Sequence, residues 1–215
     1  MTRSLRHRQG WALALAALCL VVAVQNAGAG AATDQLKRAI DRVLTTVDDP
    51  ALKGDAGTLE RRAAVRKIAN EIFDFTELAR RSLGRYWQPL SEPQRMEFVW
   101  LFAELLERSY VSKIELYGGE QIIYSGERVE GDLAIVRTKI ITDHATEVPV
   151  DYRLLRQGDR WMIYDVSIDG ISLVSNYRTQ FNKIIRSDGY EGLIEKMKTK
   201  HTQFAADDAQ KKKAR

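Results

Sequence analysis

Few side chains in this 215-residue sequence could do chemistry, and their spacing limits what that chemistry could be. Two Asp–Tyr neighbours come first, Asp151-Tyr152 and Tyr164-Asp165. A carboxylate and a phenol held in an apolar pocket can pass a proton to and from a substrate. Both pairs fall in segments whose apolar residues alternate as in β-strands. Adjacent strand residues point to opposite faces, so neither pair converges on one substrate. Histidine adds little: His7 lies in a basic N-terminal stretch, His144 in a turn-like Asp-His-Ala-Thr run and His201 near the C-terminal end. These assemble into neither a metal cluster nor a Ser-His-Asp set. No Gly-x-x-x-x-Gly-Lys-Ser/Thr loop is present to cradle a nucleotide. The expectation is a chain with no catalytic residue, no metal and no cofactor.

The N-terminal segment reads as an export signal over residues 1–31. Arg3, Arg6, His7 and Arg8 form a positive start, and Trp11 to Val24 is an uncharged apolar run. Ala27-Gly28-Ala29 and Ala29-Gly30-Ala31 then offer the small residues a leader peptidase needs. The run is shorter than the roughly 20 residues that span a bilayer. Cys19 follows Leu18 deep inside the run, which does not suit a lipoprotein cysteine. Past residue 31 there is no cysteine, so neither a disulfide framework nor thiolate chemistry is available.

Setting aside residues 1–31, with Arg3, Arg6 and Arg8, leaves 30 basic against 29 acidic residues. Four of the basic ones sit in the tail Lys211-Lys212-Lys213-Ala214-Arg215, so the body of the chain is slightly acidic. That excludes the basic face on which nucleic-acid binding leans. The tail, polar beyond Phe204, is expected to be solvated and disordered over 205–215. Residues 32–204 suit one domain with its own core.

Helices come first. Thr33 or Asp34 caps one that runs to about Val47, with Leu36, Ile40, Val43 and Leu44 at helical spacing. Thr58 opens a second toward Ile72, and Asp74 starts a short third that stops at Gly84. Ser91-Glu92-Pro93-Gln94 opens a long fourth that ends near Tyr117 before Gly118-Gly119. The period then switches to alternation. Residues 121–129, 132–142, 147–155 and 160–168 read as four strands whose short connections make them an antiparallel meander. After Asp169-Gly170 the helical period returns, with a break at Asp188-Gly189 before a last helix around Leu193, Ile194 and Met197. The class is α+β: helices packed on a twisted four-stranded antiparallel sheet.

Phe98 to Ala103 is apolar on all sides of the fourth helix, and such a helix must be covered on every side or line something apolar. Trp161 to Val174 raises the same question on both faces of its elements.

Four blocks carry a resemblance. The first is Phe73-Asp74-Phe75, then Ala79-Arg80, Leu83-Gly84 and Trp87. The second is the helix bearing Gln94, Phe98, Phe102, Leu105, Leu106 and Tyr110. The third is Val150-Asp151-Tyr152-Arg153-Leu154, then Gly158, Trp161, Tyr164-Asp165-Val166 and Asp169 through Val174. The fourth is Asn176-Tyr177-Arg178, Gln180-Phe181 and Gly189 to Ile194. In this order the chain resembles the MlaC-like family, also called the toluene-tolerance auxiliary component of ABC transport. The resemblance covers about Thr33 to Lys200.

The resemblance implies a periplasmic carrier that ferries phospholipid between the inner and outer membranes and so maintains outer-membrane lipid asymmetry. It implies a fold similar to the nuclear-transport-factor-2-like (NTF2-like) cone, with an apolar cavity. The implied partners are an inner-membrane ABC transporter complex with its substrate-binding component, and an outer-membrane lipoprotein–porin complex. A carrier that leaves one membrane to meet another is expected to be a monomer, with phospholipid as cargo. On this reading the lining candidates are Leu101, Phe102, Leu105, Tyr110, Val150, Tyr152, Val166, Ile171 and Val174. Tyr110 and Tyr152 belong nearer the mouth, since a phenol tip prefers a partner or water. Arg153 is the candidate for the headgroup phosphate, because a guanidinium can hold two phosphate oxygens; a surface ion pair with Asp151 or a neighbour is the alternative. Two other functions share this fold: a protein-binding adaptor with a filled core, and an enzyme on the NTF2-like cone.

Overall fold

The computed structural model describes residues 30–54, 57–114, 117–142 and 145–213. Four helices precede the sheet: α1 (Ala31–Asp48), α2 (Thr58–Ile72), α3 (Phe75–Leu83) and α4 (Glu92–Ile114). The strands are β1 (Gln121–Glu130), β2 (Leu133–Ile141), β3 (Glu147–Gln157), β4 (Arg160–Ile168) and β5 (Ile171–Ser172), and α5 (Leu173–Lys213) closes the chain. The sheet is antiparallel throughout, in the order β1-β2-β3-β4-β5.

Turn chemistry fixes the register. Gly131 and Gly158 each take φ 59° at the first position of the two-residue connections after Glu130 and Gln157, where a side chain would be strained. Asp169-Gly170 takes φ 49° and 75°, the doubly left-handed hairpin turn that Asp-Gly favours. It reverses β4 into β5 and pairs Ile168 with Ile171.

The fifth strand corrects the four-stranded expectation. Residues 171–172 had been assigned to the helix, but they form a β-bridge pair before Ser172 becomes the cap of α5. The Ser175 N–H donates to the Ser172 hydroxyl at 3.1 Å, which in turn donates to Asp165 at 2.7 Å. The other Asp165 oxygen accepts from the Val174 N–H at 3.1 Å. One carboxylate, 5 % exposed, thus ties β4 to the start of α5.

α5 is two helices joined at a kink, where Gly189 leaves helical geometry at φ 73° and ψ 178°, and the second runs to Lys213. The expected break at residues 188–189 is this kink. Beyond Phe204 the helical assignment runs on to Lys213. α1 starts at Ala31, inside the expected signal, and the rest of that segment, residues 1–29, lies outside the described residues.

The inner face of the sheet follows from the register. Ala134, Val136 and Thr138 of β2 share it with Val150, Tyr152 and Leu154 of β3. A bulge at Tyr164 lets Ile163 and Val166 of β4 both join that face. α1 lies on it through Leu36 and Ile40, and the Gln35 amide both donates to the Trp161 carbonyl (2.5 Å) and accepts from the Trp161 N–H (2.9 Å). That side chain stands in for a neighbouring strand on the open side of β4. The α2–α3 junction is stitched to the same strand: Phe73 pairs with Ile163 in a parallel bridge, and the Asp74 N–H donates to the Ile163 carbonyl at 2.9 Å.

α4 packs on α3 and α5 around Phe98, Leu101, Phe102, Leu106, Phe181 and Leu193. It is not covered on every side: Trp100 is 53 % exposed, with its ring 4.9 Å from that of His201, and Met96 is exposed one turn earlier.

Asp165→Ala is expected to destabilise the fold by about 1–3 kcal/mol, because it orphans the Val174 N–H and the Ser172 hydroxyl in a buried setting. Urea unfolding followed by circular dichroism checks this; a loss below about 0.5 kcal/mol would contradict the role given to Asp165.

Candidate functional site

Ordinary small domains carry one contiguous apolar core. Here the buried side chains separate into two. One is built by α3, α4 and α5; the other lies between α1 and the inner face of the sheet. Phe73 packs against both, and the first turn of α5 divides between them, with Leu173 on the sheet cluster and Val174 inside the helix cluster. Around this seam the apolar side chains are only half buried. Leu105, Tyr110 and Tyr177 fringe the helix cluster, and Val148, Tyr152 and Ile168 fringe the sheet cluster.

The phenols report the dielectric there. Burial pushes Tyr152 well above the ordinary tyrosine range, and its neighbour Tyr124 up to about 12. Tyr110 and Tyr177 are raised as well, again chiefly by burial. Tyr152 is nevertheless only half buried by surface area. The Tyr124 hydroxyl is buried and makes no hydrogen bond. These phenols place a few polar tips in an otherwise apolar setting, the pattern of sites for amphipathic small molecules.

The ten residues singled out from sequence are divided by the structure. Leu101, Phe102 and Val174 are buried in the helix cluster. The Phe102 ring lies 5.0 Å from that of Tyr177 and 5.3 Å from that of Phe181, packed among aromatic side chains. Val150 and Val166 are buried in the sheet cluster. Leu105, Tyr110 and Tyr152 are half buried at the fringes of the two clusters. Two residues fall outside. Ile171 is 63 % exposed, because the Asp169-Gly170 turn carries it onto β5 and away from both clusters. Arg153 points to the face opposite Tyr152, with Nε 3.9 Å from Asp165 Oδ2, so its partner is that capping carboxylate. Tyr177 was missed, although its three- and four-residue spacing from Val174 and Phe181 marks it as inward-facing.

The Asp–Tyr pairs assemble no proton-transfer site. Asp165 is occupied by the cap of α5, and Tyr164 lies under the Arg81 guanidinium at 4.1 Å. Among the described residues no group of three or more His, Cys, Asp or Glu is placed to hold a metal ion, and no helix is long and apolar enough to cross a membrane. His144 lies outside the described residues. Surface grooves along α5 at Asp188, Lys196 and Lys200, and beside α1 at Asp41, Asp48 and Asp49, have charged and polar walls, unlike the seam.

The sequence profile of the MlaC protein family matches residues 37–199. The chain belongs to the MlaC family. It is 26 % identical over 144 residues to the intermembrane phospholipid transport system binding protein MlaC of Haemophilus influenzae, a match over 63 % of this chain and 67 % of that protein. In three dimensions it is similar to a phospholipid-binding protein of Ralstonia solanacearum solved in complex with a phospholipid. The TM-score is 0.73 at 27 % identity, covering 81 % of this chain and 98 % of that one. This chain therefore shares its α+β architecture with a protein that has been solved holding a phospholipid.

The raised phenols give a pH dependence. They hold their protons more tightly folded than unfolded, so their contribution to stability is complete below about pH 10, the ordinary phenol value. It is lost as pH rises through about 12, where Tyr124 titrates in the folded chain. Urea midpoints measured at pH 8, 10 and 11 should fall above pH 10, and less steeply in Tyr124→Phe/Tyr152→Phe. An unchanged slope in that variant would contradict the burial of these groups.

Proposed function

We propose that this chain is a periplasmic carrier that holds a phospholipid by its acyl tails, performs no chemistry on it, and passes it between membrane complexes. The observation that carries the reading is the divided interior, on a fold like that of a relative solved with a phospholipid bound. Each methylene removed from water is worth about 0.8 kcal/mol, so two tails of about 30 methylenes represent about 20–25 kcal/mol of gross hydrophobic free energy. A carrier must match much of this by enclosure, which calls for a continuous apolar surface. The half-buried rim of Leu105, Tyr110, Tyr152 and Tyr177, with Val148 and Ile168, supplies the parts of one.

Opening the seam to admit tails asks the two clusters to separate about the residues they share, Phe73 and the Leu173-Val174 step. Each cluster keeps its own buried core while that happens. The phenol tips then meet the ester and glycerol oxygens at the end of the tails, where a polar partner replaces lost water. The export signal fits a periplasmic location. An ATP-driven inner-membrane complex and an outer-membrane lipoprotein–porin complex fit the two ends of the journey, with the chain travelling as a monomer.

Native mass spectrometry of the purified exported protein is expected to show a single chain plus the mass of one phospholipid, recovered on organic extraction. Tyr152→Asp, which places a carboxylate in the seam, is expected to lower lipid occupancy at least tenfold with circular dichroism unchanged. An empty wild-type protein would overturn carriage and favour a protein-binding adaptor.

A further inference from the structure

β1 carries one residue that its pattern does not explain. Ile122, Tyr124, Glu127 and Val129 share the inner face of the sheet, opposite Ile140, Thr138, Val136 and Ala134. Glu127 is therefore a carboxylate on the apolar face, directly across from the fully buried Val136. Its two oxygens are both used at the beginning of α1. Oε1 accepts from the Gly30 N–H at 2.9 Å. Oε2 accepts from the Thr33 N–H at 2.7 Å and from the Thr33 hydroxyl. Two of these three donors are main-chain groups at a helix N-terminus, where a negative charge is favoured.

The sequence offers two cleavage points one dipeptide apart, after Ala29 and after Ala31. The structure distinguishes them. Cutting after Ala31 removes Gly30, whose carbonyl accepts the Asp34 N–H at 2.7 Å in the first turn of α1. It also leaves Glu127 Oε1 without its donor, and begins the chain at Ala32, whose side chain has no exposed surface and packs with Leu36. Cutting after Ala29 keeps the whole turn and converts the Gly30 amide into an ammonium where a carboxylate already stands.

We propose that the mature chain begins at Gly30 and that Glu127 is the built-in receptor for its new α-ammonium group. The step is hydrolysis by a leader peptidase. Water adds across the Ala29–Gly30 bond, Ala29 leaves as a carboxylate and the Gly30 nitrogen takes up protons to become –NH₃⁺. A hydrogen bond from a neutral donor to a carboxylate thereby becomes an ammonium–carboxylate ion pair. Processing thus strengthens an anchor that already holds the N-terminus of α1, and with it one wall of the sheet cluster. The proposal rests on export of the chain and is independent of what the interior binds.

The full-length chain is expressed with its leader, and the processed protein is recovered and measured by intact mass and N-terminal sequencing. The expected product is residues 30–215, beginning Gly-Ala-Ala-Thr-Asp. A product beginning at Ala32 or elsewhere overturns the proposal. So does a product that keeps residues 1–29, and such a chain that still yields phospholipid on extraction leaves carriage standing.

A second measurement tests Glu127 itself. Glu127→Gln is made in the full-length chain and in a variant lacking Gly30 and Ala31, so that Ala29 precedes Ala32. Thermal midpoints are expected to fall by about 3 °C or more on Glu127→Gln in the first background and by under about 1 °C in the second. Equal falls in the two backgrounds overturn the ammonium–carboxylate pairing.

Discussion

Hydrocarbon tails stay out of water only if apolar surface encloses them, and a protein that encloses them cannot use the same surface to hold itself together. The chain meets this constraint by making two cores. The helix cluster around Phe98, Phe102 and Phe181 and the sheet cluster around Val136, Leu154 and Ile163 are each buried in their own right. Stability rests on those residues, and in the function proposed above the seam between them exchanges protein contacts for lipid. A single jigsaw core of native density would leave no such freedom, since a packed interior resists even one added methylene.

The links across the seam are few and local. Phe73 bridges to Ile163 and Asp165 caps α5 from β4, while within the sheet cluster the Gln35 amide closes the open side of β4 at Trp161. All three converge on β4, the strand buried along almost its whole length. β4 is thus the frame, and α1, α3 and α5 are hung from it by polar contacts. Such contacts fix orientation more than they add stability, because the net contribution of one hydrogen bond is about 1 kcal/mol. An assembly held this way can let its two cores shift against each other without losing its topology.

Much of the frame was legible in the sequence, and for stateable reasons. The strands at 121 and 147 begin where alternation begins, because one face of each is more solvated than the other, whereas β4 begins at 160 with both faces covered. β5 was not read, although the Asp169-Gly170 dipeptide is a strong hairpin signal. The helical spacing of Ile171, Leu173 and Val174 outweighed it, and Ile171 was carried inward with them. The lining was harder. Phe102 and Tyr152 are both large apolar residues on inward faces, and nothing in type or spacing says that one meets three aromatic rings while the other keeps uncovered surface. That difference arises from how two clusters abut, which is a tertiary fact. Glu127 was invisible for a related reason: it stands on an inward face only because the bulge between Tyr124 and Gly126 shifts the alternation of β1.

The central claim is that tails enter the seam between the two clusters. A phospholipid carrying a photoreactive group on one acyl chain, loaded into the protein, irradiated and mapped by peptide mass spectrometry, tests it most directly. The account predicts adducts concentrated on Leu105, Tyr110, Tyr152 and Tyr177. Adducts confined to outward residues such as Leu59, Met96 and Trp100, with the seam unlabelled, would contradict it.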